Sequence, residues 1–364
     1  MSPTQTTIPA EKTPVAIALR AFDKHVETHA LGHYTGIVTL HGLARLGLAL
    51  KRRDGDDAVL RKARANFGPF LRGEETFRCN FPNYRVGGNG AAFLWWQGAL
   101  PEADEQTFEP FIDELLHKAV RDRNGIYCMP GAPQEEKIWI DVAFAVTPFL
   151  LFCGLKLDRT DCIDEAWSQT RKLVTMLRDP TNGLMNQAMN FGGAGHRTGD
   201  HWSRGNGWAI LALAELAQYF PESHPARTEV VAMFNGLVEA CLRMQDPVSG
   251  LWHQEMTAPE SYIETSGSGL ILYGLGAGLE CGLLKGARYR EAFERGLLGM
   301  LSYIAIDGSM HNTCMGCLAP GDGSREDYMR HPHIINDFHA FGPLVLAFGQ
   351  AVRLRVPTLA LSAC

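Results

Sequence analysis

The sequence predicts an all-α protein of the (α/α)6 barrel class, six helical hairpins closed into a toroid. Three observations carry this: segments of helical period fill the 364 residues, they fall into two alternating kinds, and the second kind has no wet face. The outer kind mixes Arg, Lys, Asp and Glu with apolar residues at three- and four-residue spacing. The inner kind is apolar or small on nearly every side, so each such helix must be surrounded by protein.

In chain order, residues 15–29 form the first outer helix and 36–50 the first inner one, followed by 57–71 with 90–100. The third pair is 108–122 with 140–155, the fourth 164–179 with 207–220. The fifth is 226–246 with 267–284, the sixth 287–304 with 341–354. Glycines punctuate the inner set (Gly47, Gly274, Gly276, Gly278, Gly282, Gly349). Each costs about 1 kcal/mol against Ala in a helix, and close packing around an axis explains that cost. An open solenoid would carry polar capping repeats, whereas the last inner helix is as apolar as the middle ones. Residues 15–358 are thus read as one domain, with 1–14 a flexible arm and 359–364 a tail.

A net charge of -6 leaves no basic excess for a phosphate backbone, so nucleic acid is not an expected partner. No uncharged apolar run reaches the roughly 20 residues that span a bilayer, and residues 1–14 lack the charged start and apolar run of a secretory signal. Nine cysteines without a framework, several in apolar runs (Cys153, Cys241, Cys281), indicate reduced buried thiols and a cytoplasmic setting. No cofactor is expected, and a homo-oligomer is compatible with the chain. His311, Cys314 and Cys317, with His331 and His333 nearby, have zinc-like spacing. The absence of a second close cysteine pair favours free thiols there and no metal.

In a closed ring the inner helices run the same way, so the loops before them converge on one mouth lined by helix N-termini. Chemistry-bearing residues fall in those six loops. They are His33, Tyr34 and Thr35; Asn89; Lys137, Trp139 and Asp141; the run Trp202-Ser203-Arg204-Gly205-Asn206-Gly207-Trp208; Glu264, Thr265 and Ser266; and Asn336, Asp337 and His339. Any one of them alone reads as a helix cap. Six coincident clusters containing Trp, Arg and His do not. Asp141, set between Trp139-Ile140 and Val142-Ala143-Phe144, is the carboxylate whose desolvation raises its pKa toward a general acid's, with helix capping the competing role. The second carboxylate of an ordinary glycosidase is not evident, since residues 77–100 contain no Asp or Glu.

The Trp202 to Trp208 run, Trp139-Ile140-Asp141 with Pro148-Phe149-Leu150, Trp252-His253-Gln254 leading to Glu264-Thr265-Ser266-Gly267-Ser268, and Asn336-Asp337-Phe338-His339-Ala340-Phe341-Gly342 resemble the unsaturated rhamnogalacturonyl hydrolases of glycoside hydrolase family 105. The resemblance implies an (α/α)6 barrel acting on the unsaturated uronic acid at a non-reducing end, as in pectin- or rhamnogalacturonan-derived disaccharides. It implies hydration of the 4,5 double bond, with release of the aglycone and a 5-keto-4-deoxyuronate. One acid suffices: Asp141 protonates C4, water adds at C5, and the hemiketal opens. The resemblance also implies substrate contacts from Arg204, Trp202, Trp208 and Trp139, and from a histidine before the arginine run, His196 in preference to His201. Tyr34, Asn206, Glu264, Thr265 and His339 complete the expected substrate-binding set. The family carries an aspartate before the second inner helix where this chain has Asn89, which bears on contacts to the sugar hydroxyls. The alternatives are a sugar 2-epimerase or isomerase on the same ring, in which paired histidines move a proton, and a non-catalytic glycan-binding protein.

Overall fold

The computed structural model describes residues 12–75, 81–128, 135–318, 323–356 and 359. Six helices form an inner ring: α2 (Tyr34–Asp54), α4 (Gly88–Trp96), α6 (Val142–Leu157), α8 (Ser203–Tyr219), α10 (Thr265–Glu280) and α13 (Phe341–Arg353). Each packs on the next, and α13 returns to α2, so the ring is closed. Around it lie α1 (Pro14–Thr28), against α13 and α2, and α3 (Ala58–Leu71), against α2. They are followed by α5 (Glu105–Asp113), against α6, and α7 (Thr160–Leu177), against α6 and α8. The last two are α9 (Arg227–Arg243), against α8 and α10, and α11 (Ala287–Leu301), against α10. This is the predicted alternation of six outer and six inner helices, with one short addition, α12 (Arg325–Arg330). No described helix is long and apolar enough to cross a membrane.

Local chemistry sets the boundaries. Thr13 caps α1 by accepting the Ala16 N–H at 3.2 Å, with Pro14 at the first helical position, so the helix begins where the arm was expected to end. The rest of that arm, residues 1–11, lies outside the described residues. So does most of the expected tail, although Leu359 is buried in the core. The third outer helix starts earlier than expected, because Asp104 and Thr107 form a reciprocal capping box, and it ends in a π turn at Glu114–Lys118. After the outer layer the chain reverses through aspartate turns. The Oδ1 atoms of Asp122, Asp179, Asp246 and Asp307 accept the N–H groups of Asn124, Thr181, Ser249 and Ser309 at 2.6 to 2.9 Å.

Each reversal feeds a short ladder at the mouth. β1 (Ile138–Trp139) pairs antiparallel with β2 (Ala188–Met189), β3 (Trp252–His253) with β4 (Ile263–Glu264), and β5 (Thr313–Cys314) with β6 (His333–Ile334). Two-residue strands leave no period-2 pattern in a sequence, so these ladders were not foreseen.

The inner helices meet through small residues. A Cβ on Gly267 would stand 2.4 Å from the Ser203 carbonyl carbon, so only glycine lets the first turns of α10 and α8 touch. Deeper in the ring, Glu215 of α8 accepts hydrogen bonds from Arg45 Nη1 (2.8 Å) and His41 Nε2 (2.8 Å) of α2 and from the Tyr273 hydroxyl (2.6 Å) of α10. All four side chains are buried, and the charge pair is repaid by this saturation of the carboxylate. Cys128, Cys153, Cys162, Cys241 and Cys314 are buried free thiols, as expected, whereas Cys281 is exposed because it ends α10.

Candidate active site

The N-terminal ends of the six inner helices bring the expected loops together. Asp141 sits one residue before α6 with right-handed helical dihedrals (φ -55°, ψ -28°), and its side chain makes no capping bond. The carboxylate is therefore not spent on the helix. Its Oδ2 is buried without a hydrogen-bond partner. Burial pushes its pKa up to about 6; the Arg204 charge opposes this, the Asp200 charge adds to it, and the Trp208 indole opposes it weakly. A carboxyl that keeps its proton to about pH 6, well above the ordinary carboxylate range, is suited to general-acid catalysis.

Aromatic rings wall this group. Trp208 stacks on Phe144 with centroids 3.9 Å apart, and Phe144 lies 6.3 Å from the ring of Tyr34. Trp139, half-buried on β1, leans on Phe191 at 5.6 Å. Trp202 stacks on Tyr328 of α12 at 5.5 Å, and the Arg204 guanidinium lies 4.4 Å from the Trp202 ring centroid.

Opposite α6, Asp337 Oδ1 accepts the Nδ1–H of His339 at 2.6 Å, and Nε2 of His339 meets the Tyr34 hydroxyl. Asp337 stays ionised despite burial, because His339 and Arg204 hold its carboxyl below the usual range. Burial and the Arg204 charge, against the pull of Asp337, bring the His339 pKa down to about 3. The imidazole is thus neutral, its proton is on Nδ1, and Tyr34 is the donor to Nε2.

A family model described as Glycosyl Hydrolase Family 88 matches residues 23–355. The chain belongs to that family. Among curated relatives it is similar to "Unsaturated rhamnogalacturonyl hydrolase YesR" of Bacillus subtilis (strain 168), 28% identical over 216 residues, covering 58% of this chain and 60% of the relative. It is also similar to "Unsaturated 3S-rhamnoglycuronyl hydrolase" of Formosa agariphila, 29% identical over 195 residues, covering 51% of this chain and 52% of that one. These alignments thus span between half and three fifths of the relatives' length. A crystal structure of "a possible member of GH105 family" from Salmonella enterica serovar Paratyphi A superposes with a TM-score of 0.81 at 20% identity, over 97% of this chain and 98% of that one. That likeness bears out the barrel, and together the matches bear out the resemblance to family 105 read from the motifs.

Within this Family 88 chain, several expected ligand contacts are instead committed to the protein. Asn206 lies inside the first turn of α8, which begins at Ser203 rather than Gly207; its amide accepts the Met185 N–H at 2.8 Å and donates to Met185 and Trp202 carbonyls at 3.1 and 3.0 Å. Glu264 caps α10, accepting from Ser266 N (3.0 Å), Gly267 N (2.6 Å), Ser266 Oγ (2.6 Å), Ser203 Oγ (3.1 Å) and Cys314 N (3.1 Å). Thr265 donates to the carbonyls of His311 and Asn312. These are loop ties, and the resemblance of type and position concealed it.

Asn89 donates its amide N–H to the Phe144 carbonyl at 2.8 Å. Pro148 has no N–H to give that carbonyl, so Asn89 fills a hydrogen bond the proline removes. Its Oδ1 stays buried and unpartnered. Arg204 donates from Nη1 to Ser266 Oγ and the Cys314 carbonyl, both at 2.9 Å, and from Nη2 to the Gly316 carbonyl. Three of its five N–H donors are thus held by the protein, Nε is buried and unpartnered, and its charge reaches Asp141.

His196 is exposed in the turn that follows β2. His201 is buried and held by Asp179 at 2.9 Å and Glu255 at 3.4 Å. In the stretch with zinc-like spacing, Cys314 Sγ receives the Gln254 amide at 3.0 Å, and His333 packs on Tyr262. Two further residues belong to the site: Phe144, one helical turn beyond Asp141, whose spacing was the available signal, and Asp200, two residues before Trp202, whose role depends on tertiary contacts.

Proposed function

We propose that the chain is an unsaturated glycuronyl hydrolase, hydrating the 4,5 double bond of a uronic acid at the non-reducing end of a pectin- or rhamnogalacturonan-derived disaccharide. The observation that carries this reading is Asp141, a half-buried residue whose Oδ2 is buried and unpartnered, with its pKa pushed up to about 6, uncommitted to capping, beside Trp208 and Phe144. The double bond makes the ring a vinyl ether. Asp141 donates its proton to C4, positive charge spreads over C5 and the ring oxygen, and water adds at C5 while the Asp141 carboxylate takes up a proton. The hemiketal then opens to the 5-keto-4-deoxyuronate and expels the aglycone. No second carboxylate need attack the anomeric carbon, which matches a site built around one available acid.

Half-buried Trp139 offers a ring face to the sugar, the stacked Trp208 and Phe144 back the site as apolar wall, Tyr34 gives a hydroxyl oriented by His339, and Arg204 a positive field for the uronate. Membership of Family 88 and relatives whose names specify unsaturated rhamnogalacturonyl and rhamnoglycuronyl substrates support the substrate class. The test is incubation with a panel of lyase-generated unsaturated disaccharides, following loss of double-bond absorbance. Turnover of at least one, abolished in Asp141→Asn, is expected; no loss of absorbance across the panel refutes the assignment.

A further inference from the structure

Asp200 is wholly buried and precedes α8 by three residues. Its Oδ1 accepts the Gln187 N–H at 3.2 Å and its Oδ2 the Trp202 N–H at 3.1 Å, while its carbonyl takes the Asn186 amide at 2.7 Å. The Gln187 carbonyl in turn accepts the N–H of Ile140, the neighbour of Asp141, at 2.8 Å. That bond continues the ladder in which Trp139 faces Ala188. One carboxylate therefore ties the strand leading into Asp141 to the turn that starts α8 with Arg204 and Trp208.

Both oxygens of Asp200 are engaged by backbone N–H groups, so it is no nucleophile or base in waiting. A neutral amide or a hydroxyl would suffice for tying a loop, yet this is a second buried acid close enough to Asp141 for its charge to be felt. We propose that Asp200 is a positioning residue for the hydration reaction, anchoring the backbone at Asp141 and opposing ionisation of the Asp141 carboxyl. The inference rests on Asp141 being the proton donor.

The groups facing the pair act as follows. Asp141 is governed by burial, with Arg204 and Trp208 favouring its charged form and Asp200 disfavouring it. Asp200 is itself pushed up to about 6 by burial, against the Thr198 hydroxyl and the Trp202 and Gln187 N–H groups, with Glu255 repelling it. His201, although burial disfavours its charged form, is drawn toward it by Glu255, Asp179 and Asp200. Tyr328 feels the same Asp200 charge. Two acids displaced into one range by burial titrate as a coupled pair, so the proton held by one depends on the charge of the other.

The first experiment is the pH dependence of unsaturated-disaccharide hydrolysis by the full chain and by Asp200→Asn. The basic limb of kcat/KM reports loss of the Asp141 proton, and in the variant it is expected to move down by about 0.5 to 1 pH unit, the size of one screened charge interaction. We expect kcat to fall about tenfold or more, with KM changed less than about threefold, as for a group that shapes the acid and not binding. A lower rate with an unmoved limb makes Asp200 a loop anchor only and overturns the proposal.

Asparagine sets an N–H against a backbone N–H, so a second measurement keeps Asp200 intact. Carbon-13 carboxyl NMR follows the Asp200 titration in the wild type and in Asp141→Asn. Coupling is reciprocal, so loss of the Asp141 charge must lower the Asp200 midpoint; superimposable curves overturn the proposal. Absence of wild-type turnover would refute the proposed function instead, and the NMR comparison is independent of turnover.

Discussion

The Tyr34 hydroxyl gives its proton to Nε2 of His339, whose Nδ1–H is fixed on Asp337 at 2.6 Å. The polarity of the chain is set at its buried end, because an ionised carboxylate can only accept. With its proton given to His339, the Tyr34 oxygen can act toward any further group only as an acceptor, the role the proposed function gives it toward a sugar hydroxyl. In Tyr34→Phe the imidazole acceptor is left buried and unmatched. Steady-state kinetics on a turned-over unsaturated disaccharide should show kcat/KM reduced about 10- to 100-fold, the range for losing one substrate hydrogen bond from a built site. His339→Gln, whose amide oxygen can still accept, should lose less.

Asp141→Asn should separate stability from activity. The folded-state pKa of about 6 lies above the ordinary 3.8, so folding favours the protonated acid. The associated stability is fully present below pH 3.8 and is lost as pH rises through 6. Asparagine mimics the protonated form. At pH 8 the variant should gain about 1–3 kcal/mol in denaturant unfolding, discounted for a half-buried residue, and nothing at pH 3. A gain equal at both pH values would contradict the assigned cause.

Glu215 has the opposite sign. Burial would raise its pKa, but Arg45, the His41 hydrogen bond and charge, and the Tyr273 hydroxyl bring it down to about 2. Its contribution is present above the ordinary value of 4.5 and is lost as pH falls through about 2. Glu215→Gln leaves Arg45 buried without its counter-charge and should cost about 3–5 kcal/mol at pH 7, read by urea unfolding. Between pH 4.5 and 2 the wild type should lose much of that advantage.

Gly267→Ala tests the close approach of α10 to α8. The methyl would sit 2.4 Å from Ser203 backbone, which no rotamer relieves. A loss of about 1–3 kcal/mol, the cost of overpacking, is expected. The Ser203–Glu264 bond should open with it, disturbing Arg204 next to Ser203, so turnover should fall by more than stability alone predicts.

Much of this was legible because helical period and burial are one-dimensional signals. The all-apolar runs at residues 140–155 and 341–354 could only be inner helices, and a ring of such helices forces their preceding loops to one end. The same logic placed Tyr34, Asp141, Trp208 and His339 at the N-terminal ends of inner helices, where they lie. It failed where an apt residue type has two uses. Glu264, Thr265 and Asn206 are polar residues at helix starts, and nothing in a linear pattern distinguishes a cap or loop tie from a ligand contact. Asp200 was passed over for the converse reason, since position 187 is brought to it by the Met189–Arg197 bridge and the Ala188–Thr198 bonds, which no linear pattern shows.

By itself the sequence determined the ring and the end of it where Asp141 lies, because these follow from periodicity, and an acid set in apolar surroundings is what the proposed function takes as its proton donor. Only the tertiary structure decided what each polar group is free to do. Arg204 has three of its five N–H donors taken by Ser266 and the Cys314 and Gly316 carbonyls, Asn89 answers the carbonyl that Pro148 leaves open, and His196 is exposed while His339 is locked between Asp337 and Tyr34. The physical reason is that hydrogen-bond capacity is finite and buried groups must spend it. How they spend it depends on neighbours hundreds of residues away.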